Sequence, residues 1–458
     1  MSKKREKFAS RLGFILISAG CAIGLGNVWK FPYIVGKYGG AAFVLIYLAF
    51  LAIIGVPIMV MELAVGRASQ RSVALSFDVL EPKGTKWHYF KYFAMAGNYL
   101  LMMFYTTVAG WLAYFLFKTA KGDLTGLTTP EVRSVFSGML GQPLIMCGFM
   151  IGIVVVAFAV CSQGLQQGVE KVTKVMMLLL LALLLFLAVR SIFLEGGEEG
   201  LAFYLKPDFG KLKEYGVLEV LFAAMAQAFF TLSIGMGAIG IFGSYIDKSR
   251  SLTGEAICIT LLDTSVAFMS GLIIFPACFA YGIQPDAGPV LLFETLPSVF
   301  NAMPGGRVWG TLFFLFMLFA ALSTVIAVFE NIIAFAMDLT NASRKKIVLI
   351  NVVVVILLSL PAALGYNILS GIQPLGAGTT ILDFEDFLVS NNILPLGGVL
   401  YVLFCTRKMG WGWDKFLAET NSGTGIPFPR GIYFYIKWIL PIIVLFVFVM
   451  GYYSMFGS

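Results

Sequence analysis

Two stretches, Gly20–Asn27 (GCAIGLGN) and Phe229–Gly240 (FFTLSIGMGAIG), decide how the chain folds. Each places three glycines near the middle of an apolar run long enough to cross a bilayer. Glycine costs up to about 1 kcal/mol against alanine inside a helix, so such clusters predict unwound or closely approached backbone. Close helix packing in lipid is the alternative use of small residues. Five crossings lie from the first cluster to the second, however, so they hold matching places in two five-span halves. Paired interruptions of that kind point to inverted repeats around a site at the bilayer midplane.

The rest of the chain supports a membrane setting. Of 458 residues, 59% are hydrophobic and 12% charged, which no water-soluble fold of this size hides. A crossing needs about 20 mostly apolar residues. Eleven runs qualify: 10–37, 41–70, 89–119, 140–161, 168–190, 217–246, 253–282, 307–338, 344–363, 378–406 and 431–455. The expected architecture is one all-α transmembrane domain over 1–458, with repeat one at 10–190, repeat two at 217–406 and an extra span at 431–455. The interrupted stretch 285–305 reads as a helical lid outside the membrane. With the N-terminus inside, the inward loops hold roughly 22 of the 32 Lys and Arg residues, as the positive-inside rule asks. Eleven crossings then put the C-terminus outside. The opening MSKKREKFASR carries no cleavage signal and reads as a basic cytoplasmic tail. The six cysteines lack metal spacing, and the one histidine, His88, cannot form a zinc site. The net charge of +7 is spread over alternate loops and is no nucleic-acid signature.

Unwinding a helix in lipid frees peptide groups that must line a polar cavity. Freed carbonyls suit a hard cation such as sodium, and freed N–H groups at a half-helix N-terminus suit a carboxylate. Asn27, Thr231 and Ser233 lie at the breaks, and Ser323 and Thr324 are adjacent in the eighth run. Hydroxyls in membrane helices usually bond back to their own helix. Asp263 is different: an acid at depth costs at least about 2.5 kcal/mol, which makes it a functional candidate by default.

The run Arg5–Tyr33 (REKFASRLGFILISAGCAIGLGNVWKFPY) resembles the opening motif of the neurotransmitter:sodium symporters. Gln227–Ile239 (QAFFTLSIGMGAI) is similar to that family's broken sixth helix, and Phe319–Phe335 (FAALSTVIAVFENIIAF) to its eighth. The resemblance spans essentially the whole chain, and the lack of a twelfth span is like the bacterial members. It implies the LeuT fold: all-α, a 5+5 inverted repeat, broken helices 1 and 6 and about eleven transmembrane helices. It implies sodium-coupled symport of a small amino acid by alternating access, in a bacterial inner membrane, with a monomer sufficient and with lipid and substrate as the partners.

Residue by residue, the resemblance implies one sodium site from the Ala22 carbonyl, Asn27, Thr231 and Asp263, touching the substrate carboxylate. A second follows from the carbonyls of Gly20, Ile23 and Ala320 with the hydroxyls of Ser323 and Thr324. The implied substrate pocket is Ala22, Gly24, Leu25, Gly26, Leu101, Tyr105, Phe230, Thr231, Ser233, Met236, Thr324 and Val328. Tyr105 would donate to the carboxylate and Phe230 would close over it. Amine-carrying relatives have an aspartate where Gly24 stands, so this substrate should bring its own carboxylate. Met236, flexible and polarizable, favours hydrophobic L-amino acids, aromatic ones included. Chloride-dependent relatives have asparagine in place of Asp263 and serine in place of Ala267. No chloride is therefore expected, and Asp263 is expected to take a proton on the empty return. Lys30 and Asp386 would form the outer gate near Gln227, with lysine where the family has arginine. Arg5 and Asp338 would form the inner gate near Ser244 and Tyr245, with Phe8 in place of a tryptophan. Glu62 would brace the sixth helix. A sensor that binds an amino acid without moving it stays open as an alternative. A channel lacks a continuous polar stripe, and an enzyme lacks a nucleophile–base pair.

Overall fold

The protein is described here by a computed structural model, which covers residues 6–282 and 291–456. Among these residues the chain is all-helical, with a lone β-bridge between Arg250 and Thr424. Nine helices are long and apolar enough to cross a membrane: Ala41–Ser69, Trp87–Lys121, Pro143–Ser162, Leu165–Ile192, Leu252–Ala280, Gly306–Thr340, Arg344–Leu364, Ile381–Thr406 and Arg430–Phe456. They are spans two to five and seven to eleven. The first span is a pair, Arg11–Ala22 and Gly26–Lys37, bent by 56° at its break. The sixth is more deeply interrupted. Its helix Val217–Thr231 gives way to residues 232–239 without helical structure, and only Gly240–Gly243 resumes. Of the expected lid, residues 283–290 lie outside the described residues, while Leu291–Ala302 is helical.

Burial sorts the spans. In the third and eighth, 72% of the apolar window is buried within the protein, against 28% in the eleventh. The former pair is therefore the centre of the bundle, and the latter meets lipid on most of its surface. The first span lies in that interior: its residues 13–22 are all buried. Its start is fixed by long-range capping. The Ser10 hydroxyl accepts from the Gly13 N–H at 3.0 Å. Glu170, at the head of the fifth span, accepts from the N–H groups of Ala9 (2.8 Å) and Ser10 (3.2 Å). Negative charge at a helix N-terminus complements the helix dipole.

The sixth span unwinds because its sequence permits it and its neighbours hold it open. Gly235 (φ 106°) and Gly237 (φ 76°) adopt left-handed backbone, as does Ser233 (φ 50°), a region where side chains other than glycine's are disfavoured. The freed N–H groups find Glu62 of the second span. Its carboxylate accepts from Gly235 at 2.9 Å, Ile239 at 2.9 Å and Gly240 at 3.1 Å. On the other side the tenth span presses close, and a Cβ added to Gly397 would overlap the Gly235 carbonyl.

Candidate functional site

At the first break Ile23 turns out of the helix with ψ 106°. Its carbonyl then faces the eighth span, where Thr324 donates to it at 3.1 Å and Ser323 approaches at 3.4 Å. Thr324 also reaches the Gly20 carbonyl at 3.3 Å, and Ser323 the Ala320 carbonyl at 2.8 Å. Five neutral oxygens thus converge, all from the residues expected for one cation. A hard cation of calcium's size sits about 2.4 Å from oxygen, which puts neighbouring ligands about 3.4 Å apart. Neutral hydroxyl and carbonyl oxygens of this kind are donors that a hard cation takes.

The second cluster surrounds Asp263 on the seventh span. Asn27 ties the first break to the seventh span: its Oδ1 accepts from the Gly24 N–H at 3.1 Å, and its Nδ2 donates to the Asp263 carboxylate at 2.8 Å and carbonyl at 3.0 Å. Thr231 donates to the other Asp263 oxygen at 3.1 Å. Ser270 donates to the Asn27 carbonyl at 2.9 Å. Asp263 is fully buried, and its partners among the described residues are neutral. An ionised carboxylate held so costs several kcal/mol unless a cation or a proton joins it. Ala22 ends the last helical turn beside this cluster.

Between the two clusters lies a narrow chamber of about 20 Å³, room for about one water molecule. Its wall contains Ala22, Gly24, Gly26, Leu101, Tyr105, Phe230, Ser233, Met236 and Thr324. Three expected lining residues stand elsewhere. Leu25 faces an outer vestibule, because its N–H is held by the Tyr105 hydroxyl at 3.0 Å. Thr231 turns its hydroxyl to Asp263, away from the chamber. Val328 is packed in the apolar core one turn below Thr324. In their place the tenth span supplies Val389, within a π-helical stretch at Leu388–Ile393, and Leu394, just after it. Such bulges often mark functional positions; the polar run Ser390–Asn392 inside an apolar span is the signal that could have pointed there.

The Tyr105 oxygen accepts from Leu25, so its own O–H remains a donor. Gly24 sits under it. A Cβ at position 24 would overlap the Tyr105 hydroxyl and lie 2.7 Å from Thr324 Oγ1. A side chain there would force Tyr105 or Thr324 to shift.

Phe230 separates the chamber from a vestibule of about 430 Å³ that includes Trp29, Trp111, Tyr366 and Asp386. Lys30 lies 3.8 Å from the Phe230 ring centre and 4.0 Å from Asp386. Its ammonium therefore shares itself between a ring face and a carboxylate. Gln227 donates to the Gly26 carbonyl at 2.9 Å, which also accepts from the Phe31 N–H.

At the opposite end, Phe8 packs against Phe14, Phe242 and Tyr245. Tyr245 donates to Glu330 at 2.9 Å, and Arg344 pairs with Glu330 at 2.6 Å. Asp338 accepts from the Ser72 hydroxyl at 2.7 Å and pairs with Arg71 at 3.6 Å. Arg5, the expected inner-gate partner of Asp338, lies outside the described residues. Ser244 donates to the Ile241 carbonyl at 2.7 Å. Among the described residues no His, Cys, Asp and Glu group has the arrangement of a metal cluster.

A sequence profile described as the sodium:neurotransmitter symporter family matches residues 5–129 and 136–456. An uncharacterized sodium-dependent transporter of Bacillus subtilis, YhdH, is 34% identical over 97% of both chains. Another, from Haemophilus influenzae, is 31% identical over 98% of both. Among solved structures, MhsT in complex with L-phenylalanine aligns with a TM-score of 0.87 at 38% identity, covering 98% of this chain and 100% of that one.

Proposed function

The chain belongs to the sodium:neurotransmitter symporter family, with its LeuT fold, and from that premise we propose that it carries a hydrophobic L-amino acid, aromatic ones included, together with two sodium ions. The observation that carries this reading is Asp263: a buried carboxylate, bonded among the described residues only to neutral donors, near a narrow chamber walled by residues of both breaks. One sodium ion neutralises it, with Asn27, Thr231 and the Ala22 carbonyl as further ligands. The other binds among Gly20, Ile23, Ala320, Ser323 and Thr324.

The substrate carboxylate meets the Tyr105 hydroxyl and the peptide groups of the first break, and it completes the first sodium site. That shared contact couples the two fluxes, since neither the ion nor the acid binds well alone. Its side chain lies against Leu101, Met236, Val389 and Leu394. That L-phenylalanine occupies the related MhsT structure supports a substrate of this class.

Two repeats, 10–190 and 217–406, rock about the breaks, so that the Lys30–Asp386 gate and the inner gate open in turn. Asp263 supplies a fixed negative charge, so chloride is dispensable, and it takes a proton when its sodium ion leaves. The N-terminus faces the cytoplasm of a bacterial cell, the C-terminus the outside, and one chain suffices for transport.

The test is uptake of labelled L-phenylalanine and L-leucine into proteoliposomes under an inward sodium gradient. Sodium-driven accumulation that persists when gluconate replaces chloride is expected. Sodium-dependent binding without accumulation would instead establish a sensor.

A further inference from the structure

The non-helical stretch of the sixth span is anchored by more than Glu62. Met236, whose side chain is part of the chamber wall, has its carbonyl in this stretch, where no helical donor reaches it. Asn98 of the third span donates to that carbonyl at 2.9 Å, and with the same Nδ2 to its own helix at Ala94 (2.8 Å). Asn331 of the eighth span donates to Asn98 Oδ1 at 2.9 Å. Both asparagines are fully buried. With both carbonyls on one side and the Asn331 donor on the other, the Asn98 amide has one satisfactory orientation; flipped, it would face oxygen with oxygen.

The anchored peptide is one that would otherwise turn. Met236 is flanked by Gly235 (φ 106°) and Gly237 (φ 76°), the residues with the widest choice of backbone angles. Gly97, next to Asn98, lets the third span approach the tenth, where a Cβ would overlap Ile393; the Met236 Cβ would lie in ordinary contact at 3.6 Å. The Asn331 Oδ1 atom is buried with no hydrogen-bond partner. Leaving a buried polar atom unpaired is unfavourable, so the bond that Asn331 donates to Asn98 comes at the expense of its own oxygen.

We propose that Asn98, oriented by Asn331, fixes the Met236 peptide and so sets the size of side chain the chamber accepts. Asn98 and Asn331 are positioning residues: neither lines the chamber, and each acts through Met236. The proposal rests on the reading of the chamber as an amino-acid site.

The test is competition binding on the purified, full-length protein in sodium chloride, with L-alanine, L-leucine, L-phenylalanine and L-tryptophan as competitors. Asn98→Ala, Asn98→Ser, Asn331→Ala and the Asn98→Ala/Asn331→Ala pair are compared with wild type. The expected result is a change of about fivefold in the ratio of L-leucine to L-tryptophan affinity, the worth of one neutral hydrogen bond. The double variant should match Asn98→Ala alone, because Asn331 acts only through Asn98. Asn98→Ser, which keeps a short polar group, guards against loss of folding in the alanine variants. A uniform loss of affinity for all four amino acids, with the ratios unchanged, overturns the proposal and assigns the pair to stability. Wild-type protein that binds none of the four in sodium overturns the amino-acid reading itself.

Discussion

Substituting alanine for Gly24 is the sharpest perturbation of the site, because one methyl group enters where no space exists. Its Cβ would overlap the Tyr105 hydroxyl and lie 2.7 Å from Thr324 Oγ1. The backbone at 24 has no left-handed angle, so alanine brings no conformational penalty of its own. Tyr105 must withdraw, and its bond to the Leu25 N–H, 3.0 Å long, is lost. Overpacking costs about 1–3 kcal/mol and the hydrogen bond about 0.5–1.5 kcal/mol, a total of about 1.5–4.5 kcal/mol, or about tenfold to a thousandfold in affinity. The assay is sodium-dependent binding of labelled L-phenylalanine to purified protein, with the melting temperature followed in parallel. Gly148→Ala, at a position with nothing within 4 Å of an added Cβ, is the control and should bind as wild type does. Tyr105→Phe removes one of the two clashing oxygens and leaves Thr324 Oγ1 at 2.7 Å, so Gly24→Ala should cost less in the Tyr105→Phe background than in wild type. The reasoning fails if Gly24→Ala binds within threefold of wild type, or if the two substitutions are additive.

Ser323→Ala and Thr324→Ala each remove one of five oxygens that converge at the first break. Each is expected to raise the sodium concentration for half-maximal binding several-fold at saturating substrate; an unchanged sodium titration would sink the assignment of that cage. Asp263→Asn removes the buried charge, and transport should then depend on external chloride or cease. Chloride-independent transport at the wild-type rate by this variant is the refuting result. Glu62→Gln turns one of two accepting oxygens into a donor facing the freed N–H groups of residues 235–240. A loss of about 2–4 kcal/mol is expected from at least one charge-assisted bond broken and one N–H left unpaired, read as a fall in thermal stability. An unaltered melting curve would mean that the brace is not needed.

The existence and places of the two breaks were legible because backbone propensity is local: glycine clusters inside apolar runs announce themselves without neighbours. The same holds for Asp263, whose cost in lipid does not depend on knowing what lies opposite. Which oxygens meet was legible only through the family resemblance, since Thr324 and Ile23 are separated by some three hundred positions in the chain. Val389 and Leu394 escaped altogether. Their facing depends on a π-helical stretch that shifts the register of the tenth span, and a hydropathy pattern with a 3.6-residue period cannot register such a shift. Likewise, Leu25 points outward because a tyrosine eighty positions away holds its N–H.

By itself, then, the sequence determined that this protein lies in lipid, crosses it about eleven times and loses its helical winding at two matched places. Those properties follow from composition, run length and glycine content, each a sum over neighbours in the chain. Tertiary structure alone decided how long each break is, what satisfies its freed peptide groups and which side chains face the chamber. Glu62, Asn98 and Tyr105 exert their effect on backbone far away in sequence, and no local preference of theirs foretells the partner.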